Sequence, residues 1–289
     1  MNKAVLETVK KIKNLEIQGA RSVAVSALEA LKKVKKTEEI RPSVKMLARS
    51  RPTEPMLRNG LKYIASKMKK PDIEIMRKSA DEYISMCENA LKEIAEIGSK
   101  RIEDKSKIMV FCHSSTVMAV LKKAWDKGKR FKVYACETRP LFQGRLTAKE
   151  LAAYNIPVTL IVDSSVRYFV NSMDLVLLGT DVITADGYVV NKIGTSVVAL
   201  CAHEARTACG FASELLKFDP MTTSGEVEPI EERSGKEIWE KKPGKVRIRN
   251  PAFDLTPPEY INFLVTETGI ITPYNVLSNV NDKYPWVMR

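Results

Sequence analysis

A cysteine stands at the junction between an apolar run and a helical pattern. Cys112 directly follows residues 108–111, a run typical of a strand buried on both faces. The dipole at the start of the following helix favours an anion and lowers the pKa of a thiol. Cys112 is therefore a candidate general base. The alternative is an inert cysteine packed in the core, which is the commoner place for a free cysteine.

A carboxyl group follows a second apolar run, at 175–178. Asp181 comes two residues after Gly179. Apolar surroundings keep a carboxylic acid protonated, as a proton donor requires. Asp181 is thus a candidate donor, and the alternative is a turn aspartate that caps its own loop.

Three further segments carry candidate anion-binding groups. Residues 191–195, Asn-Lys-Ile-Gly-Thr, open a helix, where backbone amides bind phosphate and Gly194 permits close approach. Lys192 would add a point charge. Segments 18–21 and 51–53 each contain an arginine and are candidates for a second anion-binding group. The alternative is a lysine that faces solvent and two segments with structural roles.

These residues depend on an alternation of strands and helices that begins near residue 107. Strands are predicted at 108–111, 131–135, 158–162 and 175–178, and a hairpin at 186–187. The alternation implies parallel β-α-β units, and ligands bind beyond the carboxyl ends of such strands. The predicted rim carries a thiol, carboxylates and arginines that suit an anionic substrate exchanging protons, namely Cys112, Arg139, Arg145, Asp163 and Asp181.

Three helices have boundaries or burial that the sequence predicts. Residues 72–98 form a long helical pattern with Gly98 as its expected C-cap. Thr147 and Glu150 have the spacing of a capping box, which predicts that a helix opens there. The pattern at 194–206 is apolar almost all round, which predicts a buried helix.

The fold class follows from the change of pattern near residue 105. Residues 1–104 keep helical periodicity, as in Val5, Val9 and Ile12. We expect an α/β protein with a helical N-terminal domain over 1–104 and a Rossmann-like catalytic domain, with a mostly parallel sheet, over 105–289. The length of 289 residues fits one large or two small domains.

Composition excludes several classes of protein. The 5 cysteines form no CxxC pair and there are only 2 histidines, so no zinc template is present. Free thiols fit a reducing compartment. No secretory signal pattern and no apolar run of roughly 18 residues is found, so we expect a cytoplasmic protein that does not enter a membrane.

The basic charge leaves the class of partner open. The net charge is +12, which suits nucleic acid, acidic partners or phosphorylated ligands. The alternative is a solvated basic helix surface. The run at 32–36 lacks aromatic residues between its lysines and is weak evidence for nucleic-acid binding.

Several stretches together form a recognisable set. They are Cys112-His113-Ser114, Glu137-Thr138-Arg139-Pro140, Gly144-Arg145-Leu146-Thr147-Ala148, Gly179-Thr180-Asp181, 186–195 and 250–260. Over nearly the whole chain the set resembles the initiation factor 2B alpha/beta/delta family. The motifs at 191–195 and 250–254 do not separate the enzymes of this superfamily from its translation-factor subunits. The pair of Cys112 and Asp181 resembles the archaeal isomerases of ribose 1,5-bisphosphate.

The resemblance implies roles for individual residues. Cys112 would be the proton acceptor and Asp181 the proton donor. The implied substrate contacts are Gly19, Ala20, Arg21, Arg51, Ser114, Ser115, Arg139, Asn191, Lys192 and Lys217. Two departures remove cations from the pattern, because Gln18 stands where these isomerases have arginine and Ser115 where they have lysine. Such a site could prefer a monophosphate or bind a nucleotide without turnover.

The resemblance also implies a reaction, the conversion of ribose 1,5-bisphosphate to ribulose 1,5-bisphosphate in nucleoside monophosphate catabolism. Cys112 would remove the C2 proton while Asp181 protonates the ring oxygen, before a proton is returned to C1. No metal or redox cofactor is expected. By the same resemblance we expect a homo-oligomer, a dimer or hexamer, and consider a nucleotide activator.

Two rival functions follow from the same family. One is a non-enzymatic subunit that binds translation initiation factor 2 through the basic face of 1–104. The other is a methylthioribose 1-phosphate isomerase with the same cysteine and aspartate chemistry. That enzyme has a glycine-containing stretch after its cysteine, which residues 112–116 do not match.

Overall fold

Helices form the N-terminal part of the protein, which we describe from a computed structural model over residues 2–51, 54–224 and 230–288. These helices are α1 (Lys3–Lys13), α2 (Ala20–Lys32), α3 (Ile40–Ala48), α4 (Pro55–Lys67) and α5 (Ile73–Arg101). Asn2 caps α1 and Asp72 caps α5 through side-chain oxygens that accept backbone N–H groups.

Strands and helices alternate from residue 107. They are β1 (Lys107–Val110), α6 (Ser115–Asp126), β2 (Lys132–Cys136), α7 (Gln143–Ala153), β3 (Val158–Ile161), α8 (Val166–Phe169), β4 (Leu175–Leu178), β5 (Val182–Ile183), β6 (Val189–Lys192), α9 (Thr195–Ala205), β7 (Cys209–Ala212), β8 (Phe253–Thr256), β9 (Phe263–Thr266), β10 (Gly269–Ile271) and α10 (Val276–Lys283). Short 3₁₀ helices, among them Leu215–Lys217, lie in the connections.

The main sheet has the strand order β10-β9-β7-β4-β1-β2-β3. Its neighbouring strands are parallel except for β10 and β9. From β1 the strand order runs through β2 to β3 on one side, and β4 lies on the other side. The direction of strand order thus reverses at β1, and a crevice opens at the carboxyl ends of β1 and β4. The predicted fold class, a helical part followed by a mostly parallel sheet, is confirmed.

A small antiparallel sheet completes the architecture. The turn at Asp186-Gly187 joins β5 to β6, as predicted, and β8 pairs with β6. Gly187 has a φ of 86°, which a glycine adopts without strain.

The predicted end of α5 at Gly98 is wrong, because the helix continues to Arg101. A Cβ atom at Gly98 would lie 2.7 Å from Val120 Cγ2 on α6. The glycine therefore permits close packing of α5 against α6 and does not end a helix.

Two other helix predictions are also corrected. Helix α7 begins at Gln143, so Thr147 lies within it and does not open it. Helix α9 buries Val198 and Ala202, but Val197 is 56% exposed and Leu200 39% exposed. The prediction of burial on all sides is therefore wrong, although α9 packs against both sheets and against α8.

One apolar cluster runs through both parts of the chain. It contains Ile12 and Leu28 from the helical part together with Phe211 and Leu264 from the main sheet. The division into domains at 1–104 and 105–289 therefore stays a prediction. None of the helices in the described residues is long and apolar enough to cross a membrane.

Candidate active site

The loops after β1 and β4 lie side by side. Cys112 and Asp181 follow these two neighbouring parallel strands. A Cβ atom at Gly179 would lie 2.6 Å from the Cβ of Ser114. The missing side chain at Gly179 thus lets the loop of Asp181 approach the loop of Cys112.

Hydrogen bonds fix the backbone of Cys112 in an uncommon conformation. Its φ is 65°, in the left-handed region that non-glycine residues seldom adopt. Its N–H donates to Thr138 Oγ1 at 2.9 Å, and its carbonyl oxygen accepts from Thr147 Oγ1 at 2.9 Å. The backbone of Cys112 is therefore held by the loop after β2 and by α7, both on the β2 side of β1.

Asp163, predicted on the rim, anchors the turn after β2. Its carboxylate accepts the N–H groups of Thr138 at 2.8 Å and Arg139 at 2.7 Å. Thr138 in turn binds Cys112, so Asp163 supports the position of the thiol from the next strand.

A cavity of about 380 Å³ brings most of the predicted site together. This volume is within the range of small-ligand sites, roughly 300–1,000 Å³. The cavity contains both candidate acid–base groups and nearly all implied contacts: Cys112, Asp181, Gly19, Ala20, Arg21, Arg51, Ser114, Ser115, Asn191, Lys192 and Lys217. Pro52 and Thr53 of the candidate segment 51–53 lie outside the described residues.

Arg139 does not line this cavity. It borders a separate cavity of about 410 Å³ and donates to the carbonyl oxygen of Ile238 at 3.2 Å. Arg145, the other arginine of the predicted rim, pairs with Glu137 at 3.2 Å. The arginines that line the cavity are Arg21 and Arg51, which come from the helical part.

The thiol of Cys112 is protonated in the ligand-free protein. Burial raises its pKa to about 11, and the nearby ammonium of Lys192 offsets this only in part. The expectation of a lowered pKa is wrong. Helix α6 begins at Ser115 with Ser114 as its cap, and the benefit of the helix dipole falls off within the first turn.

Lys217 forms a buried ion pair. Its Nζ lies 2.8 Å from Glu214 Oε2, and the side chains are 5% and 0% exposed. Thr116 Oγ1 donates to the same carboxylate at 3.3 Å. Burial alone would raise the pKa of Glu214, but Lys217 outweighs it and the pKa is lowered, so the pair is charged.

The arginines have unused donors. Arg51 Nη1 lies 3.2 Å from Glu54, and Arg51 Nε lies 3.8 Å from Glu231. Neither nitrogen makes an aligned hydrogen bond within the described residues, and the same holds for Arg21 Nε. All three N–H groups are buried, and those of Arg51 face the carboxyl groups of Glu54 and Glu231.

The predicted phosphate site at the start of α9 is wrong. Asp254 accepts the N–H groups of Gly194 at 2.7 Å and Ser196 at 3.1 Å, so the helix already has an internal anion. Lys192 instead reaches the cavity and lies above the ring of Phe253, 5.2 Å from its centre. Asn191 donates to Thr195 at 3.0 Å.

Several groups in or behind the cavity were given no role in the site by the sequence analysis. His113 has a carboxylate partner, since its Nε2 lies 3.5 Å from Glu150, and burial lowers its pKa. Gln143 and Thr180 also line the cavity. Glu54 and Glu214 lie behind the cations. Gln18 lines the cavity and its side chain donates to Leu15 at 2.8 Å.

Comparisons with known proteins identify relatives of this chain. The sequence model of the initiation factor 2 subunit family matches residues 16–273. The ribose 1,5-bisphosphate isomerase of Thermococcus kodakarensis is 42% identical, over 99% of this chain and 97% of that protein.

Two crystal structures from Pyrococcus horikoshii have the same fold. The translation initiation factor eIF-2B has a TM-score of 0.85 and 32% identity, over 94% of this chain and 98% of that chain. The 5-methylthioribose 1-phosphate isomerase has a TM-score of 0.77 and 25% identity, over 96% and 87%. The match of the family sequence model, together with the identity and coverage of these relatives, establishes that this chain belongs to the initiation factor 2 subunit family.

Proposed function

We propose that this protein is an aldose–ketose isomerase that converts ribose 1,5-bisphosphate to ribulose 1,5-bisphosphate. One observation carries the proposal: Cys112 and Asp181 line the same cavity, together with the cations Arg21, Arg51, Lys192 and Lys217. A thiol and a carboxyl group suit proton transfer, and the cations suit phosphate. The name of the 42% identical relative supports the choice of substrate.

The proton transfers can be assigned to these two groups. The thiolate of Cys112 takes the C2 proton while Asp181 gives a proton to the ring oxygen, and the bond from that oxygen to C1 breaks. The result is an enol phosphate. A proton returned to C1 and loss of the C2 hydroxyl proton then yield the ketone.

The reaction needs a thiolate, whereas the free protein holds a thiol. Burial, and to a smaller extent Asp181 and Asp163, raise the pKa of Cys112, and Lys192 lowers it. The reaction uses Cys112 as the base and Asp181 as the acid. Lys192 would stabilise the thiolate when substrate is bound.

The experiment follows ribose 1,5-bisphosphate by NMR with the purified protein. Wild type should form ribulose 1,5-bisphosphate, and Cys112→Ser should lower kcat by about 10²–10⁴-fold because the general base is lost. Cys201→Ser, a cysteine of α9 outside the cavity, is the control and should keep wild-type turnover. No product from wild type, or equal rates for wild type and Cys112→Ser, would refute the enzyme.

The departures at Gln18 and Ser115 bear on the choice of sugar. Both residues line the cavity and neither is a cation. We therefore compare kcat/KM for ribose 1,5-bisphosphate, ribose 5-phosphate and methylthioribose 1-phosphate. A higher value for methylthioribose 1-phosphate would favour the isomerase named for the second crystal structure.

A translation-factor role is the second candidate, favoured by the TM-score of 0.85 to eIF-2B. It predicts co-purification with translation initiation factor 2 that is weakened by salt and survives Cys112→Ser. The isomerase does not require this binding.

Two further features are proposed from the resemblance. One is a homo-oligomer, for which light scattering should give a multiple of the 32.5 kDa chain mass. The other is activation by a nucleotide, which turnover with and without adenosine monophosphate would test.

A further inference from the structure

Glu54 is a buried acid directly behind the site. It precedes α4 and is 0% exposed. Its carboxylate oxygens make no hydrogen bond within the described residues, although Arg51 Nη1 is 3.2 Å away. An ionised carboxylate without hydrogen bonds is costly in such a position.

Charged groups of both signs face Glu54 from the surrounding elements. These groups are Arg51 after α3, Asp181 after β4, Lys217 at the end of a 3₁₀ helix and Glu231 in the segment before β8. The two cations lower the pKa of Glu54 and the two carboxylates raise it. Burial is the largest influence and raises this pKa to about 8.

Arg51 connects Glu54 to the ligand cavity. Arg51 lines the cavity, and its buried Nε and Nη1 have no aligned hydrogen bond within the described part of the chain. A phosphate group placed there would meet the same guanidinium that faces Glu54. An ionised Glu54 and a phosphate dianion therefore compete for Arg51 and repel each other.

We infer that Glu54 carries a proton whenever a phosphate dianion is bound at Arg51, so that its carboxyl group does not offset the charge of the guanidinium. The identity of the anion as a sugar phosphate rests on the proposed function. Glu54 acts through Arg51 and is a positioning residue, since it does not line the cavity of the reacting atoms.

The inference fixes the direction of the pH dependence. Below pH 8 Glu54 is already neutral and phosphate affinity does not depend on it. Above pH 8 the free protein carries an ionised Glu54, and the bound dianion favours the protonated form. Affinity should then fall, by roughly five- to tenfold between pH 7 and pH 9, because binding has to add a proton.

Calorimetry measures this proton directly. Ribose 1,5-bisphosphate is titrated into Cys112→Ser protein, which blocks turnover, in buffers of different ionisation enthalpy. Proton uptake should rise toward roughly one per site at pH 9. Glu54→Gln should abolish the uptake and flatten the affinity profile, and it also corrects for protons released by the ligand itself.

Glu231→Gln is the matched control, because Glu231 faces the same guanidinium at 3.8 Å but is 30% exposed. It should keep the pH dependence. The inference is overturned if the Cys112→Ser protein takes up no proton at pH 9, or if that protein with the added Glu54→Gln change retains the uptake. Should Glu54→Gln not fold, the calorimetry with Glu54 present decides by itself.

Inorganic phosphate is the second probe and separates the two proposals. Proton uptake with inorganic phosphate, without binding of ribose 1,5-bisphosphate, would refute the proposed substrate and leave the inference standing. Binding of ribose 1,5-bisphosphate without proton uptake would refute the inference and leave the proposed substrate standing.

Discussion

Buried carboxylates accompany two cations of the site. Glu54 lies behind Arg51 and Glu214 behind Lys217. Glu214 is ionised and offsets the charge of Lys217, because an unpaired buried charge is far more costly than a paired one. Glu54 is neutral below pH 8 and leaves the charge of Arg51 available to a ligand.

Removal of one buried partner should destabilise the protein. Glu214→Gln leaves Lys217 buried without a counter-charge and should lower the free energy of unfolding by about 3–5 kcal/mol. It should also raise KM for the phosphorylated substrate, since the ammonium group loses its fixed position. Urea unfolding and steady-state kinetics measure the two effects.

Glu29→Gln is the control for this change. Glu29 pairs with Lys32 at 2.9 Å, but the side chains are 47% and 24% exposed. Its loss should cost at most about 1 kcal/mol. Equal destabilisation by the two variants would contradict the importance of the buried pair.

The arrangement of two loops determines whether the acid–base groups meet. Gly179→Ala would put a Cβ atom 2.6 Å from the Cβ and the Oγ of Ser114. The loops must separate, and a displacement of about 1 Å can cost 10²-fold in rate. We expect kcat to fall by about that factor, with a smaller effect on the melting temperature.

A second substitution should restore the space. Ser114→Gly removes both clashing atoms, and the next Ser114 atom in line, Cα, is 3.9 Å away. Glycine also serves as a helix cap at a cost of a few tenths of a kcal/mol. The double variant should recover kcat relative to Gly179→Ala. If kcat does not recover, Gly179 has a role beyond leaving space for the side chain of Ser114.

The capping-box residues of α7 have another use in the folded chain. Thr147 donates to the carbonyl oxygen of Cys112 and Glu150 lies beside His113. Helix α7 thus holds the loop of Cys112 from the side opposite Asp181. The spacing of three residues between Thr147 and Glu150 could not distinguish this role from a helix start.

The C-terminal segment links the core of the whole molecule to the site. Tyr284 donates to Glu267 at 3.0 Å, and Glu267 also accepts the N–H of Leu215 at 3.0 Å, next to Glu214. Burial raises the pKa of Glu267 to about 7, and Glu214 adds to the rise. The last helix is therefore coupled to the 3₁₀ helix that carries Lys217.

The stability of the protein should depend on pH through this group. The folded state keeps a proton on Glu267 between its ordinary value of 4.5 and about 7, while the unfolded state has lost it. Its contribution is present below pH 4.5 and is lost as pH rises through 7, a change of about 3 kcal/mol. Urea unfolding from pH 4.5 to 8 measures it.

Glu267→Gln tests the assignment. Gln keeps a carbonyl oxygen for the two donors but cannot ionise. The difference in unfolding free energy between the variant and wild type should therefore grow in favour of the variant as pH rises to 7, and then stay constant. A difference independent of pH would contradict the assignment.

The sequence by itself determined the alternation of elements and the residues at the strand ends. Cys112 and Asp181 could be identified because parallel strands place their carboxyl ends on one edge of a sheet. The hairpin at 186–187 followed from its turn residues. These features depend on local periodicity and backbone preference, which a single sequence records.

Only the tertiary structure decided what surrounds those two groups. Arg21 and Arg51 line the cavity and Arg139 lies outside it. Asp254 binds the backbone amides at the start of α9. Glu54 and Glu214 lie behind cations. The tertiary structure also reversed the expected shift in the pKa of Cys112. Burial and long-range charge pairs join residues distant in sequence, so no local spacing encodes them.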